Sequence, residues 1–179
     1  MTTVRYTGTA IALHWLMALL IIATFFLGLT MVDMPGITPT KLKYFNWHKW
    51  MGVTVLALAA IRLLWRLMHT APSLPAAMPK LQKYAAEITH YLLYALIFVV
   101  PLSGYFYSLA AGFKVVYLGV LPLPVLIDPN PALKPILKNV HYLLSMTMAA
   151  LVCVHALAAF KHHLFDRDDI LKRMLPWRG

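Results

Sequence analysis

The sequence predicts an all-α integral membrane protein: a bundle of four transmembrane helices forming one domain over residues 1–179. Two observations carry this. The chain of 179 residues is 61% hydrophobic and only 12% charged, more apolar surface than a soluble core of this size can hide, whereas lipid can solvate it. Four stretches also reach the ~20 mostly apolar residues that a bilayer crossing needs. No segment outside them approaches the ~50 residues of a separate domain.

The expected spans are about 10–31, 47–68, 85–110 and 136–160. Asp33, Pro35, Gly36 and Pro39 are expected to end the first, and Pro72, Pro75 and Pro79 fill the second connection. Pro122, Pro124, Pro129, Pro131 and Pro135 occupy the third, which is the longest, and proline in such numbers forbids a continuous helix. Pro101, with Gly104 close by, predicts a kink in the third span. The first apolar stretch is too long for a cleaved signal and lacks a small-x-small site, so it is read as retained. The single cysteine, Cys153, lies in an apolar run and is read as a helix-packing residue. One cysteine excludes an intrachain disulfide and a covalent CxxCH haem attachment.

Four spans put both termini on one side, with the second connection. That side collects Arg5, Arg62, Arg66, Lys80, Lys83, Lys161, Arg167, Lys172, Arg173 and Arg178, ten cations in all. The other side has six, namely Lys41, Lys43, Lys49, Lys114, Lys134 and Lys138. The positive-inside rule therefore predicts cytoplasmic termini in a multi-pass membrane protein. The expected surroundings are a lipid bilayer, and no nucleic acid partner is expected.

Of eight histidines, His14, His48, His90, His141 and His155 fall inside spans, where ionisable groups are costly and usually functional. His141 and His155 are 14 residues apart on one helix. That spacing is a net rotation of about −40° and a rise of about 21 Å, so both face the same way near opposite membrane surfaces. His14, early in the first helix, is level with His155, late in the fourth. His48, at the head of the second, is level with His141. Two imidazoles on facing helices suit the two axial positions of a haem iron. Zinc would want further N, S or O donors, and neither pair has a carboxylate or thiolate at its depth. The expected cofactors are therefore two haem b, with His14, His155, His48 and His141 as the metal ligands. Gly52, one turn after His48, and Gly28 on the first helix each remove a side chain where a flat ring needs space. His90 lies at the depth of His14 and His155. It can replace either as ligand, pair with Glu87, or carry protons.

These residues resemble the bacterial cytochrome b561 family of dihaem membrane cytochromes. The matching elements are His14-Trp15, His48-x-x-x-Gly52, Ile61-Arg-Leu-Leu-Trp-Arg66, His90, the His141/His155 spacing and the tail from Lys161 to Pro176. The resemblance covers nearly the whole chain apart from the third connection, and it implies a place in the bacterial inner membrane. It implies haem ligation by His14–His155 and His48–His141, in agreement with the depth argument. It also implies a likeness to superoxide oxidase, which passes electrons from superoxide at the periplasmic face to ubiquinone near the cytoplasmic face.

By that resemblance His162 is the catalytic residue that contacts quinone. Histidine titrates near neutral pH and suits a reaction that consumes protons, although His162-His163 equally fits a polar helix end. Trp15 either walls the same pocket or anchors the interface. Arg62 and Arg66 either meet haem propionates or snorkel to the surface. The expected function is a superoxide:ubiquinone oxidoreductase. The alternative is a cytochrome b electron-transfer subunit between the quinone pool and a separate redox partner protein.

Overall fold

A computed structural model describes residues 5–75 and 78–176. Arg178, counted above among the cations, lies outside them. The chain forms four long helices: α1 (Gly8–Asp33), α2 (Pro39–Met68), α3 (Lys80–Ala110) and α4 (Leu133–Lys161). Each is long and apolar enough to cross a membrane. At 26 to 31 residues, they extend about 39–46 Å, beyond the ~30 Å hydrocarbon core.

The helix starts follow local chemistry. The Thr7 hydroxyl accepts the Ala10 N–H at 3.3 Å to open α1. At α2, the Thr38 hydroxyl accepts the Lys41 N–H at 3.1 Å and Pro39 takes the first helical position. Pro39 thus begins a helix rather than ending one, because its missing N–H needs no partner in the first turn. The same holds for Pro135 in the first turn of α4. There the Asn130 side chain accepts the N–H groups of Ala132 and Leu133, both at 3.0 Å. α2 and α3 start earlier than their apolar stretches, since their first turns are polar. α3 runs through Pro101 as one element.

α1 packs on α2, α2 on α3 and α3 on α4, whereas α1 and α4 close the ring without comparable backbone packing. Large apolar side chains point outward along every helix, with Leu19 at 65% and Leu157 at 68% exposure. Among the described residues no large side chain is fully buried. The outward apolar faces suit lipid, and the interior is lined by Met17, Val55, Ala59, Leu96 and Met148.

The two ends of the bundle differ. At the end away from the termini, Val116–Tyr117 (β1) and Leu121–Pro122 (β2) form a small antiparallel hairpin. Three residues, Leu118 to Val120, join the strands, and Leu118 (φ 52) and Gly119 (φ 77) take the left-handed angles that primed hairpin turns require. The hairpin is fastened to α2: the Trp50 indole donates to the Val116 carbonyl at 2.7 Å, and Thr54 and Tyr117 hydroxyls meet at 2.9 Å. Tyr105 donates to the Pro124 carbonyl. At the other end the C-terminal tail folds back over the bundle. The Tyr6 N–H reaches the Arg173 carbonyl at 3.3 Å, and the Arg173 guanidinium reaches Ser73 at 2.6 Å.

Candidate functional site

The bundle brings four of the five span histidines together in two pairs. The His14 and His155 rings lie 6.3 Å apart between centroids, and the His48 and His141 rings 6.2 Å apart. Depth explains the pairing. His14 is six residues into α1, and His155 six residues before the end of α4. His48 lies nine residues into α2 and His141 eight into α4. α2 begins eight residues before its expected span and α4 three, and counted from these starts the two histidines are level to within one residue.

Two imidazoles bound trans to one metal, each at about 2 Å, have centroids roughly 6 Å apart. Both pairs match that span. His90 approaches His155 to 5.2 Å between centroids, too short for two rings on opposite sides of one iron. Its ring lies near the Ala86 backbone one turn back, and no Glu87 ion pair occurs among the described residues.

At the hairpin end both rings are held by the nitrogen facing away from the partner helix. His48 Nδ1–H donates to the Thr24 carbonyl on α1 at 3.0 Å. His141 Nδ1 lies 3.1 Å from the Val100 carbonyl and 3.0 Å from the Ser103 hydroxyl, both on α3. Among the described residues, no protein group bonds either Nε2. A partner on Nδ1–H fixes the tautomer and leaves Nε2 with its lone pair, the arrangement expected of metal-ligating histidine.

Glycines make room for these rings. A Cβ at Gly28 would meet His48 Cε1 at 3.0 Å, and one at Gly104 would meet His141 Cε1 at 2.8 Å. Around Gly52 nothing lies within 4 Å of a would-be Cβ, so open space adjoins the turn after His48. Ring spacing, Nε2 atoms without a protein partner among the described residues, and the glycines beside the rings together fit a flat bis-imidazole cofactor.

At the termini end, Arg62 and Arg66 line a cleft with Tyr6, Ala10, Trp65 and Tyr94. Arg62 donates to the Ala10 carbonyl at 3.2 Å, lies over the Tyr94 ring, and is within electrostatic reach of His14, His90 and His155. Trp15 stacks edge-on with His14 at 5.4 Å and donates its indole N–H to the Met174 carbonyl at 2.7 Å. It therefore joins the tail to α1. His162 Nδ1 lies 2.7 Å from Asp168 Oδ2 and 3.0 Å from Asp166 Oδ2. His163 is half-buried, and its Nδ1 has no partner.

The sequence reading missed Thr24, Ser103, Gly104's role against His141, Asp168 and the hairpin anchors Trp50 and Tyr117. Only the acidic pair just after His162-His163 offered a signal.

Four apolar helices carrying level imidazole pairs near both ends have the architecture of a membrane cytochrome. The profile of the prokaryotic cytochrome b561 family matches residues 5–177, and the chain belongs to that family. It is 34% identical over 175 residues to cytochrome b561 homolog 2 of Escherichia coli K12, covering 97% of this chain and 93% of that one. Identity to cytochrome b561 homolog 1 of the same organism is 30% over 174 residues, covering 97% and 98%. A protein of Yersinia pestis named probable superoxide oxidase CybB is 29% identical over 177 residues, covering 96% of each chain. The chain is thus a bacterial membrane cytochrome of electron transfer, from a family defined by b-type haem.

Proposed function

We propose that the protein holds two haem b groups, one between His14 and His155 and one between His48 and His141, and oxidises superoxide while reducing ubiquinone. The observation that carries this reading is the pair of imidazole spacings, 6.3 and 6.2 Å, near opposite ends of one bundle. A bis-imidazole haem, when bound, takes up and releases one electron at a time. The overall reaction balances as two superoxide anions, one quinone and two protons giving two dioxygen molecules and one quinol.

The chain's own residues divide the work. His48 and His141 are held at Nδ1 by α1 and α3, so their Nε2 atoms are oriented before any ligand arrives. Gly28, Gly104 and Gly52 leave the flat space. Arg62 and Arg66 face the cleft beside His14 and supply positive charge for carboxylates at that end. His162 hands protons to the quinone at the termini end, on the cytoplasmic side of the inner membrane in this reading, which the excess of cations at that end supports.

On the opposite face two of the six lysines are engaged locally: Lys41 donates to the Met34 carbonyl at 2.5 Å, and Lys43 lies over the Trp47 ring. Lys49, next to His48 in sequence, and Lys138, one turn before His141, are the cations assigned to draw in an anionic donor.

The test is direct. The purified protein should show a low-spin b-type optical spectrum with two haems per chain. Alone, mixed with enzymatically generated superoxide and a short-chain ubiquinone, it should produce quinol. Failure of superoxide to reduce the haems, with both present, would favour the electron-transfer-subunit reading. The names of the two E. coli relatives, which specify a cytochrome without a substrate, already give that reading some support.

A further inference from the structure

α4 ends in an unusual way. From His162 to Asp166 the backbone widens into a π-helical turn, and Arg167 closes it with left-handed angles, φ 53 and ψ 33. The Asp168 N–H then bonds back to the His162 carbonyl at 3.1 Å. A non-glycine residue in this region is disfavoured, and π turns are rare and concentrate at functional sites. An ordinary α-helical ending keeps side chains three or four residues apart together. This ending instead brings a side chain six residues ahead back onto the His162 ring.

The ring receives two carboxylates at one nitrogen, and they are not equivalent. Asp166 Oδ2 lies 3.0 Å from Nδ1, but the same oxygen holds the Lys161 ammonium at 2.6 Å. Its charge is already matched. Asp168 Oδ2 is closer, at 2.7 Å, and among the described residues Asp168 has no lysine or arginine partner. Its other oxygen accepts the Ile170 N–H at 3.0 Å, so the carboxylate is fixed at both ends. The His162 side chain is 14% exposed, which makes that carboxylate the dominant influence on how the ring sits.

We infer that Asp168 is the positioning residue for His162 in quinone reduction. By accepting the Nδ1 proton it sets the tautomer and turn of the imidazole, so that Nε2 is the atom offered to the quinone oxygen. This rests on the reading of His162 given above and adds a partner to it. In the proton step the Nε2–H bond of the doubly protonated ring breaks and an O–H bond forms on the quinone. The Nδ1 proton stays against Asp168, and water at the interface restores the proton to Nε2. Two such transfers, with two electrons drawn from two superoxide anions, complete the quinol. A carboxylate is suited to this post because its hydrogen bond to the charged ring is charge-assisted, whereas an amide can present its NH2 and reverse the bond.

The test uses the full haem-loaded chain with a short-chain ubiquinone. Asp168→Asn should lower kcat for quinone reduction by about 100-fold, the scale of general acid–base assistance, with KM little changed. Asp168→Glu should recover most of the loss. In a His162→Gln background, Asp168→Asn should add nothing. The 15N signals of labelled His162, assigned by their loss in His162→Gln, should report a protonated Nδ1 in the unsubstituted protein at a pH where the ring is neutral. That readout needs no stable Asp168 variant. A protonated Nε2 with bare Nδ1 there would overturn the inference. So would a normal kcat in Asp168→Asn beside a slow His162→Gln. If His162→Gln itself reduces quinone at the full rate, the underlying reading fails, and the inference falls with it.

Discussion

Gly104 on α3 touches the His141 ring of α4 so closely that a Cβ in its place would lie 2.8 Å from Cε1 and 3.1 Å from Nδ1. Real Cβ atoms do not approach a fixed ring this closely, and His141 is not free to retreat, because Val100 and Ser103 hold its Nδ1. Gly104→Ala is therefore expected to displace His141, at a cost of about 1–3 kcal/mol typical of overpacking. It should selectively deplete the haem of the His48–His141 pair. Haem content by pyridine haemochrome, together with the low-temperature spectrum, checks this. Gly28→Ala, whose Cβ would meet His48 at 3.0 Å, should have the same sign and a smaller effect. An unchanged spectrum in Gly104→Ala would remove the proposed role of that contact.

The ring spacings predict which losses go together. His48→Ala and His141→Ala should each remove one haem and give the same residual spectrum. His14→Ala and His155→Ala should give the other. His90→Ala should keep both, since its ring stands 5.2 Å from His155, closer than opposite ligands of one iron. Identical spectra from His48→Ala and His155→Ala would contradict the pairing.

For His162, the expected defect is confined to one half-reaction. His162→Ala should slow reoxidation of the prereduced protein by ubiquinone about 100-fold or more, the scale lost with a general acid. A stopped-flow trace of haem absorbance measures it. Normal reoxidation would place quinone elsewhere.

Charge at the hairpin end makes a salt prediction. Six lysines stand there against Asp33 and Asp128, a formal sum of +4. Steering by such a field raises on-rates about ten- to a thousandfold, and screening suppresses it because the Debye length is ~8 Å at physiological ionic strength. Reduction by superoxide should be fast at low salt and fall as salt rises. It should also slow in Lys49→Gln and Lys138→Gln with the spectrum unchanged. A slow, salt-independent rate would sink superoxide as the donor.

Much of this was legible in the sequence, for physical reasons that differ from residue to residue. The spans were legible because lipid demands long apolar runs, and the His141–His155 alignment because helical geometry turns 14 residues into a common face. The start of α2 was not, because Pro39 can close one helix or open the next, and the choice rests on the Thr38 cap. Gly104 was read only as a kink residue, since its contact with His141 depends on how α3 crosses α4. The hairpin escaped notice because Leu118, a residue that ordinarily avoids positive φ, occupies its turn beside Gly119. Asp168 was hidden for a related reason: a partner six residues along becomes reachable only through a π turn that no hydrophobic period announces.

Both imidazole pairs draw one ring from α4, the last helix to emerge during synthesis. His14 leaves the ribosome 141 residues before His155, and His48 93 residues before His141. Until α4 enters the bilayer neither early histidine has its counterpart, and α3 lacks the helix it packs against. Contacts so far apart along a chain form late. If both pairs hold haem as proposed, a nascent chain stalled before Leu133 would carry His14 and His48 without the α4 ring that each needs as its opposite ligand.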